Sequence, residues 1–445
     1  MIRTVYNLNR QVFAVVSMLS AVLVAVAPQA SAQSRSDGSV YSRYGLGDRH
    51  NFHSSQANAM GVLGTGLHGP AYLNTANPAT YADQVFARFT AGIDFLGFRS
   101  EDVDGQTSIS SGGHIGAIQL GFPLIARKLG FAASISPYTT SGYHAQLGGT
   151  LEAEGSEPPT DFEVNYEGDG GLQEAVVGFG YQVTDKLAVG VSASAIWGII
   201  EFGQRTEYAR STDYLLSTEQ FTSTRMSGFS GSLGAAFRSP RLVGESDAFT
   251  VGAAFSLPVH LSATRTNQVT QGLVLIDTVG STIEGDLTLP LRLQAGLSYT
   301  PSPKWLILAD GLFEPWGGFE SDYPLLGYEP GQEDAFNSRL RAGAGVQYIP
   351  SPRDPFASTL KRTAYRFGLF VDQSYVRPVP DYDLKTYGAS TGLSIPTVVP
   401  GTYLDLSGQI GFRGESETDL VRDLLYKFSI TLNFGERWFL QRRLR

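Results

Sequence analysis

Hydrophobic and polar residues alternate with a period of two along most of the chain after residue 84. Successive side chains of a β-strand point to opposite faces, so this period predicts strands with one apolar and one polar face. Near the C-terminus one face carries Tyr426, Phe428, Ile430, Leu432 and Phe434, and the other carries Lys427, Ser429, Thr431 and Asn433. A second example places Leu287, Leu289, Leu291, Leu293 and Leu297 on a single face.

The alternation predicts fourteen strands, an even number, and many have the ~10 residues that cross a bilayer at a tilt. The predicted strands are residues 85–99, 112–123, 129–145, 171–183, 186–204, 221–238, 248–265, 280–299, 304–317, 335–349, 361–375, 384–396, 402–413 and 424–439.

The connections between these strands alternate in length. Those after even-numbered strands are mostly short, and those after odd-numbered strands are longer and acidic; residues 146–170 contain seven Asp or Glu and no Lys or Arg. Two connections, 239–247 and 350–360, are of medium length. Short turns at one rim and long loops at the other are typical of bacterial outer-membrane barrels. A soluble β-sandwich, the alternative for an exported β protein, has no reason to segregate its loops.

The first 32 residues have the pattern of a cleaved signal peptide. Arg3 and Arg10 precede the apolar stretch Val12 to Ala27, and Ala30-Ser31-Ala32 fits the small-x-small cleavage rule. The alternative is an uncleaved membrane anchor. The chain contains no Cys, which excludes a lipoprotein anchor, disulfides and thiolate metal sites.

Charge excludes one class of partner. Removal of the predicted signal peptide takes the formal net charge from −9 to −11, because residues 1–32 contain two Arg and no acid. Nucleic-acid binding requires a basic face. We therefore predict no nucleic-acid partner.

The stretch Tyr41–Tyr81 is rich in Gly, Asn and Ala and follows neither a helical nor a strand period. A segment this polar cannot easily bury a core of its own. We therefore predict an all-β fold with three parts: a signal peptide (1–32), a hatch or plug inside the lumen (33–84) and a 14-stranded antiparallel transmembrane β-barrel (85–445). The predicted localisation is the outer membrane of a Gram-negative bacterium.

Enzyme motifs are weak in this sequence. Gly64 to Gly69 matches G-x-G-x-x-G, but no strand precedes it and no βαβ unit follows it. His50, His53 and His68 lack the helical spacing and partner carboxylates of a metal site. We predict neither a catalytic site nor a cofactor nor a metal ion.

Several short motifs resemble one family. Asn77-Pro78-Ala79, directly before the first strand, resembles the N-terminal region of FadL/TodX-type outer-membrane transporters. Residues 42–48 resemble FadL-like outer-membrane proteins of Bacteroidetes, and so do Ser136-Pro137-Tyr138 with Gly142-Tyr143, and 412–414 followed by 437–439.

The resemblance implies a fourteen-stranded barrel with an internal hatch. It also implies uptake of hydrophobic, fatty-acid-like molecules that leave sideways through a gap at a kinked third strand, so that the expected partners are outer-membrane lipid and a small hydrophobic ligand. The alternative is a structural or secretion-associated barrel that docks an unidentified protein partner. Pro137 lies inside the predicted third strand, where it implies a bulge or break because proline cannot donate to the ladder. Alternatively, Pro137 lies at a rim.

Strand parity directs a mixed set of side chains into the lumen. Basic residues among them could hold a carboxylate by charge-assisted hydrogen bonds, or they could pair with neighbouring acids and with the hatch. Leu306 and Leu308 suit an apolar cargo or packing against the hatch. The charged lumen candidates are Arg292, Arg339, Arg341, Arg366, Asp310 and Glu314.

Overall fold

The structure is a computed structural model, and its described residues belong to one compact unit, Ser36–Arg445. The described residues are 38–151, 159–209, 216–241, 244, 246–272, 274–277, 282–380, 382–399, 401–415 and 420–436. The predicted signal peptide and the motif at 437–439 lie outside them.

The described residues form β-strands, two short α-helices and three 3-10 helices. The helices are η1 (Val40–Arg43), α1 (Ser55–Asn58), η2 (Pro78–Asp83), η3 (Trp316–Gly318) and α2 (Thr359–Arg362). The strands are β1 (Asp48–Arg49), β2 (Ala87–Glu101), β3 (Thr107–Ile125), β4 (Leu129–Pro137), β5 (Thr139–Thr140), β6 (Tyr143–Leu151), β7 (Thr160–Gln182), β8 (Leu187–Tyr208), β9 (Thr218–Pro240), β10 (Ala248–Ser256), β11 (Val259–Gln271), β12 (Val274–Asp277), β13 (Ile283–Leu289), β14 (Arg292–Ser302), β15 (Trp305–Glu314), β16 (Glu320–Ser321), β17 (Arg339–Tyr348), β18 (Ala364–Gln373), β19 (Lys385–Pro396), β20 (Tyr403–Arg413) and β21 (Arg422–Glu436).

The sheet is a closed antiparallel barrel of fourteen spanning strands, as predicted. Three spanning strands are each built from two segments: β4 with β6, β10 with β11, and β13 with β14. The first and last strands close the wall, because β2 and β21 pair continuously from Ala87↔Glu436 to Glu101↔Arg422. Closure leaves no free sheet edge at this seam, as a sheet in lipid requires.

Among the described residues, none of the helices combines the length and the apolar character needed to cross a membrane.

The outer face of the barrel is an apolar belt. On β21 the side chains of Phe428 and Leu432 are exposed on this face, whereas Ser429, Thr431 and Asn433 are buried on the inner face. The alternation predicted near the C-terminus is therefore confirmed. An apolar belt around a closed antiparallel barrel is the lipid-facing surface of an outer-membrane protein, which agrees with the predicted localisation.

The third and fourth spanning strands extend further than predicted. β6 and β7 form a hairpin that pairs from Tyr143↔Gly168 to Leu151↔Thr160. The prediction of a loop over all of 146–170 was wrong, because much of this range is strand. Backbone hydrogen bonds hold the hairpin together, so its polar side chains need not alternate with apolar ones.

Two neighbouring strands reverse their facing at prolines. Leu289 on β13 is 1% exposed and points inward, whereas Leu293 on β14 is 43% exposed and points outward. The prediction that Leu287 to Leu297 share one face was therefore wrong. The interruption falls at Pro290, between β13 and β14, and at Pro258, between β10 and β11. Proline lacks the N–H that a central strand donates, so it is confined to such breaks.

The register shows how the reversal arises. β10 pairs with β9 up to Ser256↔Ser232, and β11 resumes at His260↔Phe229. The strand containing Pro258 therefore has one residue more than its partner across the break. An additional residue of this kind is a β-bulge, and it turns the following side chains to the opposite face.

The N-terminal segment, residues 38–84, packs against inward-facing side chains of the wall. Ser55 Oγ donates to Asp405 Oδ2 at 2.6 Å, and Asn77 Nδ2 donates to the carbonyl oxygen of Ala235 at 3.0 Å. Wall glycines allow the two backbones to touch. A Cβ added at Gly368 would clash with the carbonyl oxygen of Met60.

We expect Gly368→Ala to destabilise the protein by about 1–3 kcal/mol, since overpacking a rigid contact costs this much. The matched control is Gly408→Ala, because a Cβ at Gly408 would meet no atom closer than 4.0 Å. The free energy of unfolding, measured in urea on micelle-bound protein, distinguishes the two variants. Equal stability of the two would contradict the close contact with Met60.

Candidate functional site

The barrel wall has a gap between β3 and the third spanning strand. β3 and β4 pair only from Ile118↔Ile135 to Ile125↔Leu129. Beyond Ile118, toward the long-loop end, β3 pairs with β2, and β6 pairs with β7. Within the described strands, no pairing joins β3 to β6. The gap therefore opens the side of the barrel above Ile118 and Ile135.

Pro137 and the residues after it create this gap. Pro137 ends β4, and the chain then turns inward so that Thr139 and Thr140 pair with Asp48 and Arg49 of the N-terminal segment. The fourth spanning strand accommodates the turn with Gly170, whose positive φ of 86° suits glycine. Gly142 lies at the outer end of the turn, directly before β6.

The N-terminal segment fills the gap. Ser110 Oγ on β3 donates to the carbonyl oxygen of Gly38 at 2.9 Å, and Ser42 Oγ donates to the carbonyl oxygen of Gly142 at 2.7 Å. Residues 38–43 therefore bridge both edges of the opening. Ser39 Oγ also bonds to the Asp423 carboxylate, which ties this segment to the start of β21.

The long-loop half of the lumen is apolar on one side. Buried side chains from β7, β8, β9, β11 and β13 form this surface, which includes Leu172, Ile196, Ile200, Met226, Leu261, Leu287 and Leu289. The proline breaks supply part of it, because they turn the apolar faces of β11 and β13 inward.

Aromatic side chains from the long loop after β15 cover this apolar surface. Trp316, Phe319 and Phe336 pack together, and Trp316 stacks on Tyr375 with ring centroids 3.9 Å apart. Tyr41 and Tyr138 belong to the same cluster. Since Tyr41 lies in the segment that fills the gap and Tyr138 in the turn that creates it, the apolar cluster reaches the gap.

Four of the predicted lumen residues meet in one ion-pair network. Glu314 Oε1 accepts from Arg292 at 2.7 Å and from Arg49 of the N-terminal segment at 3.1 Å, and Glu314 Oε2 lies 3.5 Å from Arg339. Asp372 bonds to Arg339 at 2.9 Å and to Arg341 at 2.8 Å. These groups pair with one another and with the N-terminal segment. This was one of the two alternatives given for them from the sequence; the other was binding of a ligand carboxylate.

The other predicted lumen residues contact the N-terminal segment elsewhere. Arg366 donates to Tyr72 Oη at 2.8 Å, and Asp310 accepts from the backbone N–H of Gly64 at 2.6 Å. Leu308 is buried, Leu306 partly so, and both pack in a cluster formed by Ala57, Met60, Val62 and Leu67. The N-cap at η2 is Asn77, whose side chain accepts from the N–H of Ala79 while Pro78 begins the helix.

Backbone amides at the start of the G-x-G-x-x-G sequence bind a carboxylate of the barrel wall. The backbone N–H groups of Leu63 and Gly64 donate to Asp310, at 3.1 and 2.6 Å. A carboxylate therefore takes the amides that a phosphate would need. Within the described part of the chain, no group of three His, Asp or Glu could hold a metal ion.

A cavity of about 150 Å³, lined by both charged and apolar side chains, lies between the N-terminal segment and the wall. Its lining includes Arg49, Arg339 and Asp372. His50 also lines it, and burial, together with the nearby His114 and Lys427, lowers the pKa of His50 to about 3. His50 is therefore uncharged at neutral pH and adds no positive charge to a cavity already lined by arginines.

Three features of this region were not predicted from the sequence: the facing reversal, the aromatic cover and the position of Arg49. Pro258 and Pro290 lie inside predicted strands and were a usable signal, since the same argument applied to Pro137 predicts a break. Pro315, directly before Trp316, also lies inside a predicted strand, whereas Arg49 carried no such signal. The positions of Trp316 and Arg49 depend on how an aperiodic segment and a loop fold inward, which local pattern does not encode.

Comparisons with known proteins bear on the fold and the family. A family model described as BamG matches residues 14–445. A solved FadL homologue from Pseudomonas aeruginosa is 11% identical, with a TM-score of 0.58 over 87% of this chain and 100% of that chain. The P. putida toluene transporter TodX is 17% identical, with a TM-score of 0.54 over 88% and 100%. The Ralstonia pickettii toluene transporter TbuX is 15% identical, with a TM-score of 0.52 over 87% and 99%. No curated protein matches. These likenesses support the barrel fold that the sequence resemblance implied.

We expect Arg339→Ala to destabilise the folded barrel by about 1.5–3 kcal/mol, because it removes the buried cation that Glu314 and Asp372 share, while Arg292 and Arg341 still pair with these carboxylates. The matched control is Arg205→Ala, which removes an exposed ion pair with Glu207 (2.8 Å) and should cost less than about 1 kcal/mol. Urea unfolding in micelles measures both. A loss for Arg339→Ala no larger than that of the control would mean that the network contributes little.

Proposed function

From the premise that the chain belongs to the BamG family, we propose that its barrel lets small hydrophobic molecules cross the outer membrane passively and releases them sideways into the membrane. One observation carries the proposal: a cluster of apolar side chains inside the barrel adjoins an unpaired part of the barrel wall. The N-terminal segment acts as the hatch in this proposal.

The route begins at the long-loop end. A hydrophobic molecule enters beneath the aromatic cover formed around Trp316 and occupies the surface that includes Leu261 and Leu289. It leaves between β3 and β6 after residues 38–43 move aside. Two contacts across the opening, Ser110 to Gly38 and Ser42 to Gly142, hold this segment in place. Hydrogen bonds of this kind each contribute only about 1 kcal/mol, so breaking these two costs little, and displacement of the segment also requires release of Ser39 from Asp423.

Straight passage through the barrel is less well supported. The N-terminal segment is bonded to the wall through Asp310, Arg366 and Asp405. The lining of the cavity of about 150 Å³ beside it includes the charged side chains of Arg49, Arg339 and Asp372. An apolar molecule would have to desolvate these groups, whereas the sideways route keeps it in apolar surroundings.

The cargo supported best is apolar and uncharged. The lumen arginines are engaged by Glu314 and Asp372, so a carboxylate head group would have to displace a partner. Two of the similar solved structures, TbuX and TodX, are toluene transporters, which is in keeping with an apolar cargo. A fatty-acid-like molecule, the cargo implied by the sequence resemblance, would use Leu261 and Leu289 for its chain and compete for these arginines.

A second candidate function, docking of a protein partner, rests on the medium-length turn between β17 and β18. Phe356 is 95% exposed and Leu360 is 72% exposed in this turn. Contiguous exposed apolar patches mark interaction surfaces, and these two side chains lie only four residues apart in the turn. A protein that copurifies with the barrel in stoichiometric amounts would favour this function.

We expect Pro137→Ala to reduce uptake of labelled toluene severalfold, because alanine restores a ladder donor at the point where pairing between β3 and β4 ends. Pro123→Ala is the matched control, since Pro123 lies in the paired part of β3 near the short turn. Uptake into vesicles containing equal amounts of folded barrel, checked by heat-modifiable migration on gels, measures the effect. Unchanged uptake by folded Pro137→Ala protein would reject the sideways route.

Deletion of residues 42–76 should leave an inserted barrel that leaks small hydrophilic solutes. The deletion removes α1 and the backbone that packs on Gly368, so the lumen loses its filling. Conductance in planar bilayers tests this against the full chain. If the deleted form conducts no more than the full chain does, the segment is not a hatch.

A further inference from the structure

A row of small residues crosses the lipid-facing surface of five adjacent spanning strands. Its members are direct cross-strand partners, so the row is continuous from one strand to the next. They are Ala235, Ala253, Ala295, Gly311 and Ala342.

A parallel row of large apolar residues lies beside it, two residues nearer the long-loop end on each strand. This second row consists of Leu233, Phe255, Leu293, Phe313 and Leu340, which are again cross-strand partners. The small row forms the floor and the large row forms one wall of a groove of about 1050 Å³, lined by both. The groove is outside the lumen and separate from the candidate functional site.

The groove slopes across the membrane. Its wall row continues from Leu340 to Gln373 and then to Lys385, again as direct partners. Lys385 is the first residue of β19, directly after a long loop, whereas Leu233 lies within the span of β9. The row therefore begins within the membrane and ends at the long-loop rim.

The dimensions match one leaflet. Strands lie ~4.8 Å apart, so six steps from Leu233 to Lys385 cover about 29 Å. With a strand tilt of about 35–45°, this row rises about 17–20 Å along the membrane normal. One leaflet of a hydrocarbon core of ~30 Å is about half of that thickness. An acyl chain that starts at the rim therefore reaches the bilayer centre within the groove.

Lys385 supplies charge at the upper end. It shares outward parity with the exposed Tyr387 and Leu393 on β19. Its ammonium lies 3.7 Å from the carboxylate of Asp383, and both side chains are more than a third exposed. An exposed ion pair at this distance is weak, so the ammonium can engage an anionic head group.

We propose that this groove is a binding site for one membrane lipid with an anionic head group, whose acyl chain lies along the Ala/Gly floor and whose head group contacts Lys385. The apolar floor selects a hydrocarbon chain. The cation at the rim selects the anion over a zwitterion.

The test is native mass spectrometry of the full barrel after exchange into vesicles of phosphatidylglycerol or phosphatidylcholine with identical acyl chains. The wild-type protein should retain phosphatidylglycerol preferentially. Lys385→Gln should reduce this preference about fivefold, the effect of one basic residue near an anionic surface. Ala295→Phe should abolish retention of either lipid, because the ring fills the floor.

Ala193→Phe is the matched control, since Ala193 is an exposed alanine on β8 outside the groove. It should retain lipid like the wild type, and heat-modifiable migration verifies that each variant is folded. Equal retention by Ala295→Phe and Ala193→Phe would overturn the proposal. So would a polypeptide, in place of lipid, that copurifies with the wild type and is lost from Ala295→Phe.

Discussion

Backbone pairing in lipid is the constraint on which the rest of this structure depends. An unpaired N–H or C=O group in hydrocarbon costs several kcal/mol, so a sheet in a membrane must close on itself. The barrel meets this demand along the seam between β2 and β21 and departs from it between β3 and β6. At this departure Ser42 donates to the carbonyl oxygen of Gly142 at one edge, and the side chain of Ser110 at the other edge donates to the carbonyl oxygen of Gly38. The gap and the segment that fills it are therefore one feature.

Prolines determine what the lumen can hold. Pro137 stops pairing on one side of the barrel, and Pro258 and Pro290 reverse the facing of two strands on the other side. The reversal moves apolar side chains such as Leu261 and Leu289 from the lipid-facing side to the interior. The missing N–H of proline thus interrupts the wall at Pro137, and at Pro258 and Pro290 it turns apolar side chains toward the barrel interior. The charged half of the lumen, around Glu314, instead holds the N-terminal segment in place.

Sequence periodicity predicts those parts of this fold that the membrane dictates. The apolar face of β21 must contact lipid, so alternation located it correctly, and the same parity rule placed Arg292 and Glu314 inside. Parity fails where a bulge inserts a residue, as before His260, because each half of the strand still alternates correctly by itself. It also cannot say that Glu314 pairs with Arg49, since the position of an aperiodic segment depends on contacts distant in sequence. The strand extension at β7 was missed because a hairpin in water needs no apolar face.

The seam between β2 and β21 has a consequence for the order of assembly. The first strand finds its second partner only in the last strand, so the wall cannot be completed until the whole chain is available. The N-terminal segment is in the same position, because Ser55 bonds to Asp405 on β20 and Ser39 bonds to Asp423 on β21. Pairings this distant in sequence form slowly. The N-terminal residues are synthesised first but find their partners last. Closure of the barrel at β21 completes the contacts of both β2 and the N-terminal segment.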